Sequence, residues 1–131
     1  MVDILIGDHV RAHYNSGVYI GEVLEDRGDK YLVKVLAVKK HPMQGDLHHP
    51  GKVDGVFFHE RKALAHYEKM NVAKAVVYPF DEEIPNYNDS LKESIAIMKE
   101  RLAIKNTEFN KLALIKLQEL EEKYYHKSYY Y

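Results

Sequence analysis

YLVKVLAVKKHPMQGDLHHPGKVDGVFFHER, residues 31–61, is the stretch whose reading decides the fold. Its opening run is apolar on both faces of an extended chain. Tyr31, Val33, Val35 and Ala37 share one face; Leu32, Leu36 and Val38 share the other, interrupted by Lys34. A strand apolar on both faces is covered on both. One face can therefore line a small barrel, and a second layer must lie over Leu36 and Val38. Loop 39–52 follows, where Pro42, Gly45, Pro50 and Gly51 exclude a regular element. Gly45 is expected in a left-handed backbone conformation, with Asp46 accepting from nearby N–H groups. Val53–Phe58 returns as a fourth strand, and Arg61–Tyr67 forms a fifth.

Upstream, Val10, Ala12 and Tyr14 alternate with Arg11 and His13 at the period of a half-buried strand. Asn15-Ser16-Gly17 turns the chain, with Gly17 suited to positive φ. In the next strand, VYIGEVLE, the apolar phase slips between Ile20 and Val23, which places a bulge at Gly21. Short consecutive strands with glycine turns spell a five-stranded SH3-like barrel, with an open meander as the alternative.

Downstream, residues 71–87 read as a bridge, one or two helical turns and then chain extended by Pro79 and Pro85. Ser90-Leu91-Lys92-Glu93 fits a capping box. Leu91, Ile95, Met98 and Leu102 carry a helix to about Asn106. Thr107 caps a second helix with a stripe of Phe109, Leu112, Ala113, Leu120 and Tyr124. Two such helices joined closely form an antiparallel hairpin, which would cover the outer face of the third strand. The tail KSYYY is either frayed or docked. The expected class is α+β: the barrel and its loop over 1–80, then a linker and helical hairpin over 81–131.

Composition narrows the function. An apolar fraction of 46% in 131 residues supports a real core. A formal net charge of −1 argues against a nucleic-acid surface, and Glu22, Glu25, Asp26 and Asp29 lie among the aromatics that would have to stack bases. No cysteine means no disulfide, thiolate metal site or catalytic thiol. No stretch approaches a membrane span, and the N-terminus lacks a leader pattern, so a cytoplasmic protein is expected.

The histidine loop holds the chemistry. His41, Asp46 and His48, with His59 as a fourth, could converge on zinc, but no recognised ligand spacing is present. His59-Glu60 starts an H-E-x-x-H pattern that Ala63 breaks. No serine sits in a nucleophile elbow and no glycine loop cradles phosphate, so neither metal, cofactor nor enzymatic activity is expected. Aromatic and arginine side chains beside the loop suit a protein interface, expected on His41, Gln44, Asp46, His48, His49, Phe58, His59, Glu60 and Arg61. Eight histidines in the chain would make such a patch respond to pH. A metal-binding or small hydrolytic domain on the same loop is the alternative.

LVKVLAVKKHPMQGDLHHP (32–50), FFHERKALAHYEKMN (57–71) and EIPNYNDSLKES (83–94) resemble the kinase-associated protein B family of bacilli. The resemblance implies an N-terminal SH3-like barrel with a C-terminal helical part and no enzymatic activity. It further implies a role beside a sensor histidine kinase that feeds the sporulation phosphorelay. The implied partner is therefore a protein, with a place in the cytoplasm or at the periphery of a membrane-bound kinase. A homodimer is compatible with it. Some members of the family are named lipoproteins, but this chain has no cysteine to carry that lipid. No tryptophan and no ALYDY-like stretch is present, so proline-rich ligands are not expected.

Overall fold

The computed structural model describes residues 3–45 and 58–130. The strands are β1 (His9–Tyr14), β2 (Gly17–Asp26), β3 (Lys30–Lys40), β4 (Lys69–Ala73) and β5 (Val77–Pro79). Two helices follow, α1 (Tyr87–Ala103) and α2 (Glu108–Lys123). The strands form one antiparallel sheet in the order β4-β3-β2-β1-β5.

The β1–β2 hairpin turns on Asn15 and Ser16, at φ 46° and 66°. Two positive-φ residues suit a type I′ turn, whose twist matches the strands it joins. The expectation of positive φ at Gly17 is thus corrected by two residues. Gly17 is required for another reason: a Cβ there would stand 2.8 Å from the Tyr19 hydroxyl. The bulge at Gly21 is present. The β2–β3 register shifts between Ile20 and Gly21, and a Cβ on Gly21 would lie 2.5 Å from both the Lys34 carbonyl oxygen and Val33.

The third strand is covered on both faces, as its composition demands. Tyr31, Leu32, Val33, Val35, Ala37 and Val38 are all buried, and α1 lies across β3. Val38 shares a cluster with Leu91, Ile95, Leu117 and Leu120. Val38 carries that contact; Leu36, expected beside it, is only half-buried. Ser90 is not the helix cap. Asn86 holds that position one turn earlier, its side chain accepting from Asp89 N. Ser90 Oγ donates to the Tyr87 carbonyl at 2.7 Å and accepts from Val38 N at 2.9 Å, tying β3 to α1. Thr107 caps α2 as expected, accepting from Asn110 N.

Three expectations change. Residues 61–67 form no strand, and the supposed bridge supplies two. Met70 and Val72 are buried while Lys69, Asn71 and Ala73 are exposed, which is strand alternation, and it pairs with β3. A single 3-10 turn at Lys74–Val76 then leads into β5. The expected fourth strand falls on residues 53–57, outside the described residues, and Phe58 is in no strand. The closed SH3-like barrel is an open sheet: β4 and β5 end the ladder and share no register among the described residues. β5 is too short to close it, and Pro79 offers no N–H for further pairing. β1 and β4 still approach across the sheet, so it is curled. No helix among the described residues is long and apolar enough to cross a membrane.

Candidate functional site

Residues 58–65, between the histidine loop and β4, belong to no regular element, so their buried backbone groups need other partners. Tyrosine hydroxyls supply them. Ala63 N–H donates to Tyr125 at 2.9 Å, and the Ala63 carbonyl accepts from Tyr130 at 3.2 Å. Leu64 N–H donates to Tyr19 at 3.2 Å, and the Leu64 carbonyl accepts from Tyr87. These tyrosines come from β2, the first turn of α1, the end of α2 and the tail, so the strap at Ala63-Leu64 joins every layer of the fold. Tyr130, in the tail, is buried, so the tail docks through it. Burial pushes the Tyr19 hydroxyl up to about 12 and raises Tyr87 and Tyr125 as well. Each therefore keeps its proton at neutral pH.

His41 belongs to the same network and is fully buried. Its Nδ1 lies 2.9 Å from the Pro42 carbonyl, which can only accept, so Nδ1 carries the hydrogen. Its Nε2, 2.7 Å from the Tyr125 hydroxyl, then accepts in the neutral ring. The chain Ala63 N–H to Tyr125 O–H to His41 Nε2 is complete only while His41 is uncharged. Burial does keep it so, pushing its pKa down to about 4 against the opposing bond to Pro42. The unfolded chain binds this proton near pH 6.5 and the folded chain only near 4, so stability is present above 6.5 and declines as pH falls to 4. The expected loss is about 3 kcal/mol at about 1.4 kcal/mol per pKa unit. Urea midpoints at pH 7.5 and 4.5 check it. His41→Gln should be less stable at pH 7.5 and lose much less on acidification; an equal loss in both proteins would contradict the assignment.

Gln44 is buried as well. Its amide donates to the Pro42 and Arg61 carbonyls at 3.1 and 2.9 Å and accepts from Arg61 N at 2.9 Å. Gly45, at φ 97°, donates to the His59 carbonyl. A Cβ on it would stand 2.8 Å from Phe109 and 3.1 Å from Phe58, whose rings pack with centroids 5.3 Å apart. The left-handed conformation expected at Gly45 is therefore observed, and it seats the loop against α2. Arg61 donates to the Gly45 and Met43 carbonyls.

The expected interface thus divides. His41 and Gln44 face inward and serve the fold, which corrects their placement on a surface. Phe58 is half-buried against Phe109, and Arg61 clamps the loop rather than standing clear of it. His59 is exposed and Glu60 half-buried. Asp46, His48 and His49 lie outside the described residues. His41, first of the ligand set in the metal alternative, has both ring nitrogens engaged. Among the described residues no three His, Asp or Glu side chains are grouped to hold an ion.

A cleft of about 700 Å³ opens between the β1–β3 side of the sheet and the helical hairpin. Val18, Val38, Met43, Ile97, Met98, Leu102, Phe109 and Ala113 give it an apolar lining. Among the described residues, Arg11, His13, Lys39, Lys40 and Arg101 stand around it with one carboxylate, Glu93. Sequence reading missed this place because its residues are scattered over β1, β2, β3, the loop after it and both helices. The available signal was Ile97 and Arg101, one turn apart on α1 and off the core stripe.

The family model described as Kinase associated protein B matches residues 14–125. The chain is 47% identical over 121 residues to Kinase-associated lipoprotein B of Bacillus subtilis (strain 168), covering 92% of this chain and 94% of that protein. It is also similar to the crystal structure of kinase-associated protein B from Bacillus cereus, with 34% identity and a TM-score of 0.79. That likeness covers 93% of this chain and 98% of the other.

Proposed function

The chain belongs to the kinase-associated protein B family, and from that premise we propose that it is a non-enzymatic accessory that binds protein. The partner is a sensor histidine kinase, and the role is to support signal entry into a phosphorelay such as that of sporulation. It acts in the cytoplasm, at the periphery of the membrane if its kinase sits there. The observation that carries the reading is the family match over nearly the whole chain. The geometry is in keeping with it. His41 is held neutral in the interior with both ring nitrogens engaged, and the cleft beside the hairpin is apolar with a charged rim, the anatomy of an interface.

The test is crosslinking of the tagged full chain in its native cell, followed by identification of what it captures. A histidine kinase is the expected product, reproduced by binding of the purified kinase to the purified chain. A purified kinase that neither binds the chain nor changes its autophosphorylation in its presence would contradict the proposal.

A further inference from the structure

We propose that the cleft between β3 and the helical hairpin receives an acidic, amphipathic α-helix of the partner. This rests on the reading that the chain binds protein, and it adds what the chain recognises. Three features select that occupant. First, the lining is apolar and includes Met43 and Met98, side chains that adapt to an incoming surface. A helix docks in such a groove through apolar residues at i, i+3, i+4 and i+7.

Second, the rim is basic on the sheet wall, while on the helix wall Arg101 stands with one carboxylate, Glu93. Arg11, Lys39 and Lys40 stand on the sheet side and Arg101 on α1, all exposed. The ion pairs among the described residues engage other cations: Arg27, Lys34, Lys74, Lys99, Lys116 and Lys123. In a chain of net charge −1, this concentration of cations beside apolar surface complements a helix with carboxylates flanking its apolar stripe.

Third, the polar groups of the floor are already engaged. Ser90 and Ser94 donate to backbone carbonyls of α1, Ser90 also accepts from Val38, and the Gln44 amide is bound within the loop. Small-molecule sites orient their ligand with convergent polar groups. Among the described residues the floor leaves none of these donors uncommitted, which favours a helix held by apolar contact and rim charge over a small anionic amphiphile.

The test uses the full chain and a labelled synthetic peptide with leucines at helical spacing and glutamates between them, read by fluorescence anisotropy. Counterparts carry glutamine or lysine in place of glutamate. Expected is binding of the glutamate peptide, about tenfold weaker binding of the glutamine form, and none of the lysine form. Lys39→Glu with Lys40→Glu should weaken the glutamate peptide about tenfold, as should Ile97→Ser, while Lys123→Glu leaves it unchanged. Equal binding of the acidic and basic peptides overturns the proposal. So does affinity that ignores both cleft variants, or saturation by laurate with no peptide bound. If the purified kinase binds the double lysine variant as well as it binds the original chain, the cleft assignment falls and the protein-binding reading stands. If the acidic peptide binds as described but no kinase does, the cleft assignment stands and the kinase reading falls.

Discussion

Deleting residues 124–131 is expected to leave a chain that no longer folds cooperatively. The deletion removes Tyr125 and Tyr130, both in the central apolar cluster with Val33, Leu91 and Leu117. A buried aromatic side chain removes about 150–250 Å² from water, which at about 25 cal/mol per Å² is worth about 4–6 kcal/mol. Two such losses approach the whole stability of an ordinary domain, about 5–15 kcal/mol. The deletion also strips Ala63 of both its hydrogen-bond partners, the Tyr125 and Tyr130 hydroxyls. Circular dichroism against temperature reads the outcome. A truncated chain that still melts in one sharp transition near the original midpoint would show that the tail is an appendage.

Tyr125→Phe isolates the hydroxyl from the ring. The ring keeps its edge contacts with His41 and Tyr130, at centroid distances of 5.8 and 4.8 Å. What is lost is the donor to His41 Nε2 and the acceptor for Ala63 N–H, both buried. A buried polar group left without a partner costs about 1–3 kcal/mol, so the expected loss is about 2–6 kcal/mol. Tyr124→Phe is the control. Its half-buried ring lies under Lys62 Nζ at 3.7 Å, a contact the ring face makes without the hydroxyl, so little change is expected. Urea midpoints for the two variants check the difference; equal stabilities would place the Tyr125 hydroxyl outside the network.

Much of the fold was legible because local patterns and tertiary demands agree. Val10, Ala12 and Tyr14 alternate, Gly21 breaks the phase of β2, and the doubly apolar β3 requires cover on each side, which α1 provides on one. Where two local readings competed, tertiary contacts decided. Asn86 and Ser90 could each cap α1; Val38 N needed an acceptor, and Ser90, one turn inside the helix, meets it. Met70-Asn71-Val72 alternates over too short a span to stand out, and it becomes a strand because the edge of β3 is open to pair with it. The candidate site was harder to read. His41 and Gln44 look like surface chemistry in a loop, yet both are drawn inward by backbone groups that no neighbouring strand satisfies. Nothing in the spacing of Tyr19, Tyr87, Tyr125 and Tyr130 announces that they meet on one dipeptide.

That meeting is what holds the sheet, the hairpin and the tail together, and amide hydrogen exchange tests it directly. Ala63 and Leu64 lie outside every helix and strand, so as ordinary loop residues they would exchange as fast as exposed Glu82. Held by the Tyr125 and Tyr19 hydroxyls, their amides should instead exchange only through global unfolding, at rates matching Ile20 and Val35 in the sheet. Exchange of Ala63 and Leu64 at the rate of Glu82 would contradict the clamp.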